Sequence, residues 1–425
     1  MKYLLLLSLR SIRANKWRSL VNVAVIAISV AMVVVTSGLC AVLIELQRQT
    51  VLMDLPAGTS SIEIDRVLAE DWGMNALRTF SAFLNVALLM IAAFSIYGSF
   101  ASGIRERAKM MAVLMSVGAS DFQKSFVTVA EALLLALLGI PLGLFIGLPI
   151  VYETAKHIEN IVSPALPEVE AIFQLDIQTI FTLLLFSVLA VFLATLISIL
   201  KTQKSSIITL AKSTAGIEIS LKKSILDHIM WRLFGKAGEI ASANYINQKR
   251  NYRFLSFTFG TAMLLYVGGS LIIPYFKQIG PPDPNYQSEA YALLDTLQTA
   301  ILTVPFLALL NTVFVFFNNY QMRKGEFAVF QSIGMDTKMM YKIVVLEWIY
   351  RGFYLFFYGF VGSYLFNLFL YGVLNVSEIA NEWIDPTMQL LHAFLIVVAL
   401  VLVMTVAVIT KLRRMNIVEA LKELN

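Results

Sequence analysis

Eight apolar runs in this sequence are each long enough to cross a lipid bilayer as a helix. A transmembrane helix needs ~20 consecutive, mostly apolar residues. Hydrophobic residues make up 58% of the chain and charged residues 14%, whereas soluble domains average about 45–50% and about 25%. The runs cover residues 20–44, 79–103, 127–152, 178–200, 254–276, 292–318, 342–374 and 389–410. The chain is therefore predicted to be an all-α polytopic membrane protein with eight transmembrane helices.

Positive charge is distributed unequally between the two sides of these runs. Most lysines and arginines lie in the terminal segments and in the connections after the second, fourth and sixth runs. The alternate loops hold only Arg48, Arg66, Arg78, Lys156 and Lys277. Because positive residues are retained on the cytoplasmic side, we expect a protein of the cell membrane with both termini in the cytoplasm. The net charge of +5 is thus a topology signal and gives no reason to expect nucleic-acid binding.

The segments outside the runs are short. An independent domain would need at least ~50 residues, so no large extracellular domain is expected, and the longest outer segment, 45–78, is predicted to hold a small turn or strand. On the cytoplasmic side, the N-terminal segment places Leu6, Leu9 and Ile12 among basic residues, and the linker 216–237 has apolar residues on one helical face. Both are predicted to be amphipathic helices that lie on the inner leaflet.

The stretch SVGASDFQKS, at 116–125, resembles a phosphate-binding loop. That loop has the pattern G-x-x-x-x-G-K-[ST] and opens a helix with its backbone N–H groups around phosphate. Here Gln123 stands where the second glycine belongs, and no strand-like run precedes Gly118. The stretch has a counterpart 216 positions later in which Met340 replaces Lys124. A nucleotide site is therefore not expected.

The shift of 216 positions also reveals an internal repeat. It aligns identical residues as the pairs Arg107 and Arg323, Ala112 and Ala328, Val113 and Val329, Ser116 and Ser332, Gly118 and Gly334, Val129 and Val345, Glu131 and Glu347, and Gly143 and Gly359. The leads NKWRSL at 15–20 and RNYRFL at 250–255 are similar as well. We therefore predict two tandem four-span halves, 1–215 and 238–425, joined by the linker 216–237.

One pattern recurs in both halves, between the second and third span of each. It reads R-x-x-E-x-A-x-x-x-S-[ILV]-G, followed by a glutamate thirteen residues after the glycine. The second half matches it with Arg323, Glu326, Ala328, Ser332, Ile333, Gly334 and Glu347. The first half departs only at the acidic position, where Met110 stands. Both copies resemble the FtsX-like permease family, which provides the membrane subunits of MacB-type (type VII) ABC transporters.

The resemblance implies a permease that is not itself an enzyme. It implies two FtsX-like repeats in a bacterial inner or cytoplasmic membrane and two copies of a cytoplasmic ABC ATPase as partners. The ATPase would bind ATP and Mg²⁺, and no catalytic residue, cofactor or metal is expected in this chain. Closure of the ATPases would move the halves by mechanotransmission and export or expel an amphipathic peptide, antibiotic or lipid.

Two other functions remain as alternatives. The first is a signal transmitter of the same fold, which couples the ATPase to an extracellular hydrolase or a membrane sensor and transports nothing. The second is an ion-coupled secondary transporter, which needs carboxylates within the membrane or discontinuous helices near its middle. Only Asp295, near the end of a run, approaches that requirement, so this alternative ranks last.

The two repeated segments supply the candidate ATPase-coupling residues. They are Arg107, Ala112, Ser116 and Gly118 in the first half and Arg323, Glu326, Ala328, Ser332 and Gly334 in the second. Each segment is predicted to be a short helix below the membrane that ends at a left-handed glycine and that can seat in a groove of the ATPase. Because Met110 replaces the glutamate in the first copy, the two docking sites are expected to differ in strength.

Glu131 and Glu347 are the candidate pivot residues. Each lies near the start of a predicted span, where attraction to the helix dipole is sufficient to account for a carboxylate. A pivot or latch to the coupling segment is the alternative.

Other residues inside the predicted spans have packing roles as their simplest interpretation. Glycines at the spacing that permits close helix approach are Gly139, Gly143 and Gly147, with Gly359 in the second half. Arg351 is predicted to extend its charged end towards the interface. Asn311 either bridges two helices or lines a cavity, and the sequence leaves both alternatives open.

Overall fold

The computed structural model is helical and contains no strand over the part of the chain that it describes. The described residues are 2–14, 16–53, 55–56, 59–102, 113–114, 116–162, 177–203, 228–246, 260, 263, 266–267, 306–307, 310–311, 313, 324–373 and 387–413. The all-α prediction is therefore confirmed for these residues.

The longer helical segments within the described ranges are numbered α1 to α10 in chain order. In the first part of the chain these are α1 (Lys2–Ala14), α2 (Lys16–Met53), α3 (Ser61–Glu70), α4 (Trp72–Ser102), α5 (Asp121–Val162) and α6 (Ile177–Gln203). They are followed by α7 (228–246), α8 (Lys324–Ser332), α9 (Thr337–Val373) and α10 (Thr387–Arg413).

Among the described residues, four helices are long and apolar enough to cross a membrane. The candidate spans within them are Arg18–Leu52, Ser125–Asn160, Thr337–Leu365 and Leu390–Thr410. They correspond to the first, third, seventh and eighth predicted runs. The second and fourth runs lie in α4 and α6, whose apolar stretches within the described side chains are shorter. The fifth and sixth runs fall mostly outside the described residues, so the count of eight spans stays a prediction.

Helix α2 lies at the centre of the first part of the chain, where it packs against α4, α5 and α6. Most of its valines are buried, and Val25, Val30 and Val34 are completely so, as expected for a helix that is apolar on every side. Polar groups on α2 find partners on neighbouring helices: Asn22 accepts from Ser99 Oγ, and Ser37 Oγ donates to Asn85 Oδ1 at 2.8 Å. The core is therefore held by apolar packing with a few internal hydrogen bonds.

Glycines on α5 line the surface that contacts α2. A Cβ added at Gly139 would lie 2.6 Å from Ile26 Cγ2, one at Gly143 would lie 2.6 Å from the Ala27 carbonyl oxygen, and one at Gly147 would lie 2.8 Å from Val34 Cγ1. In α9, a Cβ at Gly359 would lie 2.9 Å from Met263 Cβ, in the predicted fifth span. The missing side chains allow these helix pairs to approach closely.

The N-terminal segment forms the predicted helix, α1. Ser8 Oγ donates to the Val127 carbonyl oxygen of α5 at 3.2 Å, and Ile12 packs against the core. Leu6 and Leu9, in contrast, are exposed. One side of α1 thus docks on α5 and another presents apolar side chains, which suits the predicted position on the inner leaflet.

The segment between α2 and α4, which was predicted to lie on the outer side, contains a turn in which the Thr59 N–H donates to the Pro56 carbonyl oxygen at 3.2 Å. The turn is followed by a helix, α3, that was not predicted. Ser60 caps the helix, since its side chain accepts the backbone N–H of Glu63 at 3.4 Å. The spacing S-x-x-E is that of a capping box, which marks a helix start. Leu68 is buried and anchors the helix. Asp71 then accepts the Met74 N–H at 2.6 Å where α4 begins.

Asn311, whose role the sequence left open, joins two predicted spans. Its amide nitrogen donates to Ser29 Oγ of α2 at 2.7 Å, and both residues are fully buried. Asn311 belongs to the sixth run, so this contact links the two predicted halves of the chain inside the apolar region. Its observed role is that of a helix bridge.

Candidate functional site

The stretch at 116–120 is a tight connection between the end of one helix and the start of α5. Gly118 has a φ of 85°, in the left-handed region that favours glycine. The Ala119 N–H donates to the Leu114 carbonyl oxygen at 2.9 Å. This bond across the glycine is the signature of a Schellman helix end.

The stretch at 332–336 has the same construction between α8 and α9. Gly334 has a φ of 90°, and the Met335 N–H donates to the Phe330 carbonyl oxygen at 3.0 Å. In each copy the serine two residues before the glycine donates its hydroxyl to a carbonyl oxygen of its own helix. Ser116 donates to Val113 and Ser332 donates to Val329, both at 2.8 Å. We call 113–120 the first turn and 329–336 the second turn.

Each turn also starts the helix that follows it. In the first turn, the Ser120 N–H donates to Gln123 Oε1 at 3.0 Å and the Gln123 N–H donates to Ser120 Oγ at 3.3 Å. This reciprocal pair is a capping box. In the second turn, Asp336 Oδ1 accepts the Lys338 N–H at 3.4 Å. Gln123, which stands in the place of a phosphate-loop glycine, therefore has a structural task as a helix cap.

The aliphatic residue at the tip of each turn is exposed. Val117 is 82% exposed and Ile333, at the equivalent position, is 76% exposed. The coupling residues predicted from the sequence include neither Val117 nor Ile333, although the pattern S-[ILV]-G contains both positions. The signal that could have identified Val117 and Ile333 is the aliphatic position in the repeated pattern. An exposed apolar side chain at a defined place marks an interaction site.

The predicted coupling residues divide into three groups. Ser116, Gly118, Ser332 and Gly334 lie in the two turns and shape them. Ala328 is fully buried beside Phe327 in α8 and is not part of an exposed surface. Arg107, Met110, Ala112 and Arg323, as well as the side chain of Glu326, lie outside the described residues.

A glycine-to-asparagine comparison tests whether the turns need the left-handed backbone. No atom lies within 4 Å of a Cβ built on Gly118 or Gly334. The cost of a larger side chain at either position is therefore backbone strain and not a steric clash. Valine at Gly334 should cost about 1–2 kcal/mol, whereas asparagine tolerates this conformation. The coupling role that the family resemblance implies predicts that Gly334→Val lowers the stimulation of a partner ATPase and that Gly334→Asn retains most of it. Equal losses for both variants would contradict a conformational role for the glycine.

Glu131 lies well inside α5, so the prediction that the helix dipole accounts for it was wrong. Helix α5 begins at Asp121, and dipole effects fade within the first turn. Its carboxylate is buried and accepts Arg18 Nη2 of α2 at 3.3 Å. The sequence did not reveal Arg18 as its partner, because 113 residues separate the two along the chain.

Glu347 is buried at the equivalent depth in α9, which begins at Thr337. Its Oε1 accepts the Asn244 side-chain amide of α7 at 2.8 Å, and its Oε2 lies 3.8 Å from Arg351 Nη2, one turn along the same helix. Attraction to the helix dipole does not account for Glu347 either, because this residue also lies far beyond the first turn of its helix. Asn244 is a further partner that only the tertiary structure reveals.

Arg351 does not extend towards an interface, so that prediction was wrong as well. Its side chain is 5% exposed and lies over the Trp348 ring, with its guanidinium carbon 5.3 Å from the ring centroid. The charge is balanced by Glu347 and by the face of the indole. The i, i+4 spacing of Glu347 and Arg351 was the available sequence signal.

Aromatic side chains surround the Glu347 site. Tyr245 of α7 stacks on Tyr350 with ring centroids 6.0 Å apart and meets Tyr354 edge-on at 6.4 Å. Burial raises the pKa of the Tyr245 phenol; Tyr354 adds to the rise and Arg351 opposes it. The carboxylate of Glu347 is thus enclosed between α7 and α9, whereas that of Glu131 ties α5 to α2.

Comparison with known proteins identifies the family of the chain. The model of the FtsX-like permease C-terminal family matches residues 82–207 and 299–417. No curated protein matches the chain. Since the two matched ranges cover more than half of the 425 residues, the chain belongs to the FtsX-like permease family.

Family and structure together define the class of protein. Members of this family are non-catalytic membrane subunits that generally partner with an ATPase. The apolar helices agree with a membrane protein. The chain is therefore a membrane permease component of an ABC-type system.

Proposed function

We propose that this chain is the permease of a MacB-type ABC transporter and consists of two tandem four-span halves, 1–215 and 238–425. Two copies of a separate cytoplasmic ATPase, which bind ATP and Mg²⁺, dock on the two turns. Their closure moves the halves and exports or expels an amphipathic peptide, antibiotic or lipid. The chain crosses the cell membrane eight times with both termini in the cytoplasm.

The observation that carries this proposal is the equivalence of the two turns. Three hydrogen bonds of the first turn recur 216 residues later in the second turn. Their donors are Val117, Ala119 and Ser116 in the first turn and the equivalent Ile333, Met335 and Ser332 in the second. The two ranges matched by the family model, 82–207 and 299–417, support the same duplication. Two equivalent turns with exposed aliphatic tips suit two copies of one partner.

Each turn lies where movement of a docked ATPase would reach a long helix. Each glycine is followed within three residues by a long, capped helix, α5 or α9. Ten residues into that helix lies the buried carboxylate, Glu131 or Glu347. Because Glu131 is ion-paired to Arg18 of α2, a tilt of α5 would turn about this contact. We propose the pivot role for Glu131 on this basis, and for Glu347 through its bond to Asn244 of α7.

A second candidate function is signal transmission without transport. It is favoured by α3, the described helix on the expected outer side, where Ile62 is 82% exposed and can meet an extracellular hydrolase or a membrane sensor. A gene for such a protein beside the permease gene would favour this candidate. Export of a labelled amphipathic peptide from proteoliposomes would favour transport.

Reconstitution with the partner tests the proposal. We expect the purified chain to hydrolyse no ATP, and the ATPase to hydrolyse ATP faster when the permease is present. Native mass spectrometry should give two ATPase copies per permease chain. ATP turnover by the isolated chain, or a complex with a single ATPase, would contradict the proposed function.

A further inference from the structure

The first part of α7 exposes an unusual number of large apolar side chains. Ile229, Trp231, Leu233 and Phe234 are each 50–64% exposed. Helical spacing puts them on a broad arc, together with the half-buried Met230. A soluble surface rarely presents so many apolar groups side by side, so this arc is suited to an apolar environment.

The remaining side of the same segment is basic. His228 and Arg232 are one helical turn apart and both exposed, and the exposed Lys236 follows directly after the turn at Gly235. No acidic residue lies among the residues 228–236. An apolar arc flanked by positive charge is complementary to an anionic lipid surface, where each lysine or arginine adds to the attraction.

Gly235 separates this segment from the second part of α7. Its φ is 64°, a left-handed conformation within an otherwise helical stretch. Just beyond it, a Cβ on Gly238 would overlap the carbonyl oxygen of Met230. The backbone is therefore folded tightly on itself here, and the two parts of α7 point in different directions.

The second part of α7 is docked on α9. Ala237 and Ala241 belong to one apolar cluster with Ile343 and Leu346. Beyond them Asn244 donates to the buried Glu347 at 2.8 Å. The exposed arc is thus connected through a few residues to a carboxylate inside α9.

We propose that residues 228–236 form a binding surface for anionic phospholipids of the inner leaflet, and that Asn244 transmits occupancy of this surface to Glu347. The apolar arc inserts between acyl chains, and Arg232 and Lys236 contact phosphate headgroups. The second step, in which lipid regulates the coupling of α9 to ATP hydrolysis, rests on the proposed function.

Lipid quenching of a single fluorophore tests the surface. Cys40 is the only cysteine, so a Cys40→Ser background accepts a bimane label at Leu233→Cys. The matched control is Asp65→Cys, at an exposed position of α3 outside the candidate spans. In nanodiscs with brominated lipid we expect strong quenching at 233, more with phosphatidylglycerol than with phosphatidylcholine, and little at 65.

Removal of the basic residues should reduce the lipid preference. We expect Arg232→Gln and Lys236→Gln each to weaken the phosphatidylglycerol preference about fivefold. Equal quenching at 233 and 65, or no effect of headgroup charge, would overturn the proposal. Loss of quenching on addition of the partner ATPase would assign the surface to that protein instead.

The transmission step needs a separate readout. With Asn244→Leu we expect lipid quenching at 233 to remain, while the dependence of stimulated ATPase activity on phosphatidylglycerol is lost. If wild-type stimulation does not depend on phosphatidylglycerol, the transmission step is wrong although the surface stands. If the permease stimulates no ATPase under any condition while quenching persists, the proposed function fails and the lipid surface stands.

Discussion

Glu131→Gln is expected to destabilise the folded protein by about 3–5 kcal/mol. The substitution keeps the size of the side chain and removes its charge. Arg18 then stays 7% exposed in the core with its ion-pair partner neutralised. A buried charge that loses its partner retains its full desolvation cost. The free energy of unfolding in nanodiscs, measured by steric trapping, gives the effect directly.

Two controls separate the ion pair from general damage to α5. The double variant Arg18→Met with Glu131→Leu replaces the pair by apolar side chains and should be nearly neutral or stabilising by about 1–4 kcal/mol. Glu347→Gln should cost less than Glu131→Gln, because Arg351 keeps its contact with Trp348. A double variant as unstable as Glu131→Gln would show that the ion pair is not the cause.

Gly143→Ala is expected to destabilise the protein by about 1–3 kcal/mol through overpacking. The new Cβ would lie 2.6 Å from the backbone oxygen of Ala27 and 2.6 Å from Val30 Cβ. Neither atom is the end of a flexible side chain, so α2 and α5 must separate along their shared surface. Thermal unfolding of the purified chain measures the loss.

Gly352→Ala is the matched control for this effect. The three atoms nearest to its new Cβ belong to side chains, and the closest is Val401 Cγ2 at 2.7 Å. We expect Gly352→Ala to destabilise the protein less than Gly143→Ala does, because no backbone must move. If the two alanine variants have the same unfolding temperature, close approach of α2 and α5 is not what Gly143 provides.

The sequence was sufficient for the features that depend on local chemistry. Hydrophobic length predicted the helices that contain runs one, three, seven and eight, and glycine in a helix-ending pattern predicted the left-handed backbone at Gly118 and Gly334. The helix α3 was missed although its signal is local. Pro56 and Gly58 favour a turn, whereas the capping-box spacing of Ser60 and Glu63 directly after them marks the start of a helix.

Features that depend on tertiary contacts could not be predicted from a single sequence. Arg18 and Glu131 are brought together only by the packing of α2 on α5, and Asn244 reaches Glu347 only because α7 docks on α9. The position of the carboxylates was misjudged because hydrophobic runs begin later than the helices that contain them. Helix α5 begins at Asp121, six residues before the apolar run.

Photocross-linking from the tips of the two turns tests the central claim most directly. A benzoylphenylalanine residue placed at Val117 or at Ile333 should capture the ATPase subunit in the assembled complex, since both tips are exposed at equivalent positions. The same residue at Ile62, equally exposed but in α3 on the expected outer side, should capture none. Capture of the ATPase from both turns and not from Ile62 is the predicted result. Absence of capture from both turns, or capture from Ile62, would contradict the docking of two ATPase copies on these turns.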